Sequence, residues 1–395
     1  MVKIEIKELK GEEIEPAIDL AFYAFFPTPG SVDKIKEKIQ YFTEDTAYVL
    51  YEDDVPVSAL VCKPILQNVR GAIKSMCGIQ NVATSPEARR KGYAKQLMFK
   101  AFEHMKFHKQ IFSTLYPFKE TFYERMGYIS FPQIRTAEFR PTSLEPLLSM
   151  NISGTVERMQ INNGYEIYRN FLHEMRKNLH GMGVKADTEL KRVKDEAQYW
   201  LAVARDNEEV LGILTYKITG FWKEIKVRDF YYKNSQGKYL LLKWFASHSD
   251  QIKEVHLPIR PDEYPETWVY DTLWGEKGKI KSRDWVPCPM GRVTIVEGLN
   301  GLNVGSGKIS IKISDEYCSW NNDSFLFESK DGTLHVEKTN DYDCELTIQG
   351  FSAIIYGCYN LDDFKFKEWG TLSEEVKTKI QELFPPAYPY LHADF

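Results

Sequence analysis

Three rhythms of apolar and polar residues follow one another along the chain. In the first, "IEIKEL" and "TAYVLYED" alternate as strands do, on either side of a helical "EIEPAIDLAFYAFF". The strands "VPVSALVCKPILQNV" and "AIKSMCGIQNVATSP" follow, and then the clearest helix of the sequence, Tyr93 to Lys106. Its residues Ala94, Leu97, Met98, Ala101, Phe102 and Met105 recur at three-four spacing and fall on one stripe. The strand "QIFSTLYPF" and a short helix "KETFYERM" close this stretch, with Gly127 as the helix stop.

The second stretch opens near "EFRPTSLEPLL" and repeats that alternation. It has a helix at "EIYRNFLHEMRKN", a hairpin turning at "RDNEE", a strand "IKVRDFYYKN", a helix "KYLLLKWFASHS" and a strand "KEVHLPI". This predicts a diverged internal repeat. From Pro287 the rhythm becomes one of short alternating runs, "KISIKISDEYCSWNNDSFLFES" and "TLHVEKTNDYDCELTIQGFSAIIYG", which predict an antiparallel sheet. One helix, "TLSEEVKTKIQELF", and a proline-rich tail end it. The expected domains are 1–134, 135–286 and 287–395; the length of 395 residues by itself calls for two or three.

Composition narrows the function classes. The formal net charge is −5 with no long run of lysine or arginine, which argues against nucleic acid and anionic membranes as partners. No segment reaches the roughly 20 apolar residues of a membrane span. The start "MVKIEIKELKGEE" reads as a strand and not as a signal peptide. Six scattered cysteines without a C-x-x-C pair predict reduced thiols and a cytoplasmic protein. His104 and His108 stand four apart on a helix but lack the glutamate of H-E-x-x-H, so no metal is expected.

The stretch that carries chemistry is "QNVATSPEARRKGYAK", Gln80 to Lys95. Pro86 keeps Ser85 out of the helical region, and the chain then enters the long helix through Arg89, Arg90, Lys91 and Gly92. A helix start has unpaired N–H groups and a positive dipole end, so it attracts phosphate. A basic start chosen only for solubility would oppose that dipole. The sign of the charges therefore favours an anion site suited to a pyrophosphate. Neither a Walker A loop nor G-x-G-x-x-G is present.

R-x-x-G-x-A after the strand "VATSP", followed by "FYERMGY", resembles the GNAT superfamily of acetyl-CoA-dependent acyltransferases. The resemblance implies that the backbone of Val82, Ala83 and Thr84 holds the pantetheine arm. It implies that Arg89, Arg90, Lys91, Gly92, Tyr93, Ala94 and Lys95 receive the pyrophosphate, and that Phe118 adds backbone contacts. Tyr123 would protonate the departing thiolate, since a phenol with a pKa of about 10 keeps its proton at neutral pH. On composition alone, with 23 tyrosines in the chain, Tyr123 would instead be a packing residue like Phe122 and Tyr128.

The three-part plan is similar to the Eis (enhanced intracellular survival) acetyltransferases. It implies an α/β fold of tandem GNAT domains, the second degenerate, with a C-terminal sterol-carrier-like α+β domain. It also implies a hexamer, and a cationic, aminoglycoside-like amine as acceptor. The tail "ELFPPAYPYLHADF" is too aromatic and too rich in proline to fray, so it either plugs a groove or does chemistry. The resemblance implies the second, with the carboxylate of Phe395 as general base through water. Phe26 and Asp394 would line the acceptor pocket, unless the aromatic run Phe22–Phe26 is simply a buried helix face. Two other activities fit the same plan: protein-lysine acetylation, and lipid or sterol carriage by the C-terminal domain.

Overall fold

The alternating N-terminal segment forms β1 (Ile4–Lys10), and β2 (Thr46–Glu52), β3 (Val55–Val69) and β4 (Ala72–Thr84) extend the sheet beside it. The computed structural model describes residues 2–25, 37–269, 278–282 and 287–392. The chain divides into two compact units. One comprises Met1–Phe131, Leu179–Glu189 and Pro287–Phe395, and the other Pro132–Asn178 and Leu190–Val286. Among the described residues, no helix is long and apolar enough to cross a membrane.

In the first unit, β5 (Phe112–Leu115) pairs in parallel with β4, and β6 (Ile129–Ser130) lies near the far edge. α1 (Glu15–Phe25) packs on β3 and β4. α2 (Tyr93–Phe107) buries the predicted stripe against β2 and β3, with only Ala94 of that stripe part-exposed. The short α3 (Glu120–Glu124) follows β5.

The sheet is completed by residues from far down the chain. β15 (Met290–Val293) sits between β5 and β6, antiparallel to both, so the order is β1-β2-β3-β4-β5-β15-β6. The short β9 (Gly183–Val184) pairs with β3. Four strands make a separate C-terminal sheet: β16 (Lys308–Ser314), β17 (Asp323–Lys330), β18 (Thr333–Lys338) and β19 (Cys344–Thr347). The expectation of an antiparallel sheet holds for β16-β17-β18, but β19 runs parallel to β16.

A second correction concerns "TIQGFSAIIYG", read above as strand. Residues Ile348–Tyr356 form α7, whose side chains are all buried except that of Gln349. A helix enclosed on every side carries no polar stripe, and its Ile, Phe and Tyr residues favour strands when taken singly. Its ends are marked by Thr347, whose hydroxyl accepts the Gly350 N–H, and by Gly357 at φ 79°. α8 (Glu374–Leu383) follows. The core is common to both ends of the chain, joining Val69, Met76 and Phe112 to Val293, Phe327 and Phe351.

Two buried arginines fasten this unit. Arg70, at the turn between β3 and β4, donates to the carbonyls of Ile354 (2.9 Å), Ile355 (2.7 Å) and Pro385 (3.0 Å). It thereby closes the end of α7 and fixes the start of the tail. The tail continues with Ala387 N–H on the Gly357 carbonyl and Tyr390 N–H on the His180 carbonyl, and Leu391 is buried. Arg292 of β15, 0% exposed, donates to the carbonyl of Met126 and to Asp315, itself 2% exposed, and lies 4.7 Å over the Phe102 ring.

The second unit has strands β7 (Arg135–Phe139), β8 (Thr155–Gln160), β10 (Trp200–Asp206), β11 (Glu209–Ile218), β12 (Glu224–Tyr232), β13 (Glu254–Ile259) and β14 (Gly278–Ser282), in the order β14-β7-β13-β12-β11-β10-β8. α4 (Tyr165–Asn178) lies within it, α5 (Asp187–Glu196) straddles the boundary, and α6 (Ser235–Ala246) joins β12 to β13. The predicted repeat is visible here. β12 and β13 are the parallel pair, and they pair only from Glu224 to Lys226 before parting. Past that point Arg260 bridges the strands, lying 5.1 Å over the Tyr232 ring and bonding Glu263 at 2.9 Å. At the start of α6 the Asn234 side chain accepts the Gly237 N–H at 3.0 Å.

Removing one partner of a buried ion pair leaves the other charge unsolvated. Arg292→Met should therefore cost about 3–5 kcal/mol of stability, read as a lower denaturant midpoint. Arg292→Met combined with Asp315→Asn should recover part of that loss.

Candidate active site

β4 and β5 stay together for only four register pairs, Met76↔Phe112 to Ile79↔Leu115. β5 then ends before Pro117, which has no N–H to give a ladder, while β4 runs on to Thr84. The stretch Gln80–Thr84 keeps β3 on one side and leaves its other backbone edge open. Asn81, at φ 55°, lies where the β3–β4 register shifts. Such a bulge resets the alternation of side chains, and Gln80, Asn81 and Val82 consequently line one cleft of about 290 Å³ together with Phe25, Phe118 and Tyr123.

Of the residues expected along the pantetheine arm, Val82 lines this cleft, while Ala83 and Thr84 are tied to β3. Ser58 Oγ donates to the Ala83 carbonyl (3.0 Å) and sits 2.8 Å from the Thr84 hydroxyl. What Thr84 offers a ligand is thus its backbone.

After Thr84 a single turn at Pro86–Ala88 leads to Arg89 in extended conformation, Arg90 at φ 67° and Gly92 at φ 81°. The first backbone N–H of α2 to find a carbonyl is that of Gln96, on Gly92 at 3.1 Å. The N–H groups from Arg90 to Lys95 meet no acceptor among the described residues. Left-handed residues that alternate with others in this way make a concave anion seat. Nothing lies within 4 Å of where a Cβ on Gly92 would stand.

The loop's side chains divide in two. Lys91 turns its ammonium to Glu52 (2.7 and 2.9 Å), and the Tyr93 hydroxyl bonds the same carboxylate, so these two pin the loop to the end of β2. Arg89 and Arg90 are exposed, with Arg89 Nε at 3.3 Å from the Thr84 carbonyl. Lys95 lies over the rings of Tyr317 (5.3 Å) and Phe99 (5.8 Å).

Tyr123 stands at the other wall. Its carbonyl accepts from Met126 (2.9 Å) and Tyr128 (3.2 Å), which winds the chain into the Gly127 turn at φ 90°. Its ring is 2% exposed and contacts Phe122 (5.0 Å), Phe118 (5.5 Å) and Tyr128 (6.0 Å) edge to face. Burial raises its pKa above the ordinary phenol value, so it is protonated at neutral pH. The Tyr128 hydroxyl is engaged by Ser113 at 2.7 Å, whereas that of Tyr123 has no partner among the described residues. Phe118, 59% exposed, forms the lip of the cleft. Phe26, Asp394 and Phe395 lie outside the described residues.

Sequence reading missed what stands behind the cleft. Gln80 Nε2 donates to Asp45 (2.8 Å), and both Asp45 and Glu189 hold the buried Lys63 (2.9 and 2.7 Å). Lys185 closes the group on Glu189 at 2.9 Å. Burial pushes Asp45 up to about 6 against the pull of Lys63, so it remains a carboxylate at neutral pH. These residues are far apart in sequence and no short motif joins them. The one available signal was Lys63, the sole charged residue of its strand.

His104, by contrast, is occupied structurally. Its Nδ1 lies 3.1 Å from the Tyr48 hydroxyl, which donates to Glu8, and burial lowers its pKa to about 4.

Comparison with known proteins agrees with this plan. Residues 5–130 and 182–288 each match a model described as an acetyltransferase (GNAT) domain, and residues 295–392 match a sterol carrier protein domain. No curated protein matches the chain. Among solved structures, a GCN5-related N-acetyltransferase from Anabaena variabilis superposes with a TM-score of 0.86 at 16% identity, over 100% of each chain. A probable N-acyltransferase from Enterococcus faecalis gives 0.83 at 20% identity, and Eis1 from Mycobacterium abscessus 0.78 at 14%, again over 100% of each chain. At such identities the likeness is one of fold.

Gly92→Ala meets no neighbour, so its effect is conformational alone. It should destabilise the ligand-free protein by about 1 kcal/mol and weaken coenzyme A binding roughly tenfold through the tilted amides. Calorimetric titration with coenzyme A, beside a melting curve, separates the two effects.

Proposed function

We propose that this chain, a GNAT-type acyltransferase of Eis-like architecture, moves the acetyl group of acetyl-CoA to a primary amine of a cationic small molecule. The observation that carries the reading is a conjunction along β4. The open edge of β4 and Tyr123 line one cleft, and the same strand leads on to the unpaired amides that open α2. The amides from Arg90 to Lys95, with Arg89 and Arg90, would hold the pyrophosphate, and the edge from Val82 to Thr84 the pantetheine arm. Acetyl-CoA bound there supplies an activated acyl group, whose transfer makes an amide C–N bond and breaks the C–S bond.

Tyr123 gives its phenolic proton to the leaving sulfur, and its apolar ring cage keeps bulk water from that exchange. The acceptor arrives as an ammonium and must lose a proton first. We assign that step to the carboxylate of Phe395, relayed by water. The path of the tail supports this reading. Leu391 is buried beside Gly183, where a Cβ would lie 3.7 Å from it and 3.3 Å from Met76 of β4. From Met76 to Gln80 along the strand is about 13 Å, and the residues after Leu391 span about as much when extended.

The preference for a cation rests on the wall of α1. A hollow of about 450 Å³ on α1 is lined by Glu15, Asp19 and Glu87 together with the exposed ring of Tyr23. Carboxylates with an aromatic face suit polyamines and aminoglycosides. A lipid-carrier role would need open apolar volume in the C-terminal domain, and that interior is occupied by Phe325, Phe327, Phe351 and Tyr356, all 0% exposed.

The reading is tested by thiol release from acetyl-CoA in the presence of kanamycin, spermidine or a lysine peptide; no amine-dependent release from any of them overturns it. Tyr123→Phe should lower kcat by about 10²–10⁴ while the acetyl-CoA Kd stays within twofold. One residue appended after Phe395 should cut kcat at least tenfold with an unchanged melting temperature, and full turnover in that variant would return the tail to a packing role.

A further inference from the structure

One polar side chain of the cleft has its orientation decided from behind. Gln80 meets Asp45 at 2.8 Å, and a carboxylate can only accept. The group facing Asp45 is therefore the NH₂, which leaves Oε1 as the atom with capacity to spare. Nothing among the described residues donates to that oxygen.

Asp45 cannot turn away. Lys63 grips both its oxygens (3.0 and 2.9 Å) and is itself held by Glu189 at 2.7 Å, with all three 3–5% exposed. Stability alone does not call for such an arrangement, because buried ion pairs are often replaced by apolar residues without loss. It comes from three separate places in the sequence and converges on one residue of the cleft. Gln80 and Val82 line the same cleft.

We infer that Gln80 Oε1 accepts a hydrogen bond from the N–H of the acceptor amine and so sets the direction from which its nitrogen approaches the thioester. The inference rests on the acyl-transfer reading above. The acyl end of acetyl-CoA gives Oε1 nothing to bind, since thioester sulfur and carbonyl oxygen are acceptors only. The nearest pantetheine N–H lies beyond the cysteamine methylenes. An amine or ammonium is the donor that reaction brings to this point.

Gln80→Met keeps the length of the side chain and removes both polar atoms. With whichever of kanamycin, spermidine or the lysine peptide the wild-type enzyme acetylates, the KM for the amine should rise about tenfold or more. The KM for acetyl-CoA should stay within twofold, and the melting curve should hardly move. Gln80→Asn, milder for packing but too short to reach both Asp45 and the amine, should shift the same constant in the same direction. An unchanged amine KM in both variants overturns the inference. A parallel rise in both KM values also does so, and would assign Gln80 to the cofactor. Failure of the parent reading shows elsewhere, in a wild-type enzyme that acetylates none of the three amines, and this inference then falls with it.

Discussion

A fully buried guanidinium holds the first unit of this protein together. Arg292 satisfies its charge with Asp315, a residue of the C-terminal sheet region whose carboxylate also accepts from the backbone of Tyr317 and Cys318. Its other arm takes the carbonyl of Met126, one turn past Tyr123. Neither contact is optional, because an unpaired charge in such a place costs several kcal/mol. The position of the phenol is therefore set from outside its own domain. A carboxylate in the sterol-carrier-like part and a strand lent to the GNAT sheet together fix the turn that carries it. The C-terminal domain in this way is part of the scaffold of the candidate site.

The two GNAT-like units differ where a ligand would matter. Both contain a parallel strand pair that parts after a few residues and a helix that starts beside the gap. In the first unit the helix begins at Gly92, which has no side chain to satisfy the free amides, and the gap is a cleft. In the second, Asn234 supplies the acceptor itself and Arg260 on Tyr232 spans the gap. An internal cap and an internal plug take the places that phosphate and pantetheine would need. That gives the degeneracy implied by the family resemblance a physical form.

Much of the fold was legible because it is local. The α2 stripe, the long β3 and β4, and the turn at Ser85-Pro86 announce themselves within a few residues of sequence. The candidate cofactor segment, from Gln80 to Lys95, is likewise contained within a few residues. Hidden features are those assembled from distant segments or those lacking contrast. β15 is four residues that match any strand, and only tertiary pairing says which sheet receives it. α7 is enclosed on all sides, so the period that marks a helix is absent. The group Asp45, Lys63, Glu189 and Lys185 spans two widely separated stretches of chain and leaves no motif. Arg89 to Lys91 looked like three equivalent cations, yet Glu52, unremarked in the sequence, claims one of them.

The placement of β15 also bears on how the molecule is made. Arg292 reaches back across 166 residues to Met126, and its strand fills a slot that β5 and β6 leave between them. At translation rates of about 5–20 residues per second, that slot stays open on the order of ten seconds or more after β6 has emerged from the ribosome. Through that interval β5 presents a bare edge, and such edges invite pairing with other chains. A gene fragment ending after the first GNAT segment would carry the entire candidate cofactor loop and still keep that edge exposed permanently. The protein's smallest self-sufficient catalytic piece is thus not contiguous in the gene, which limits how evolution, or a protein engineer, can cut and recombine it.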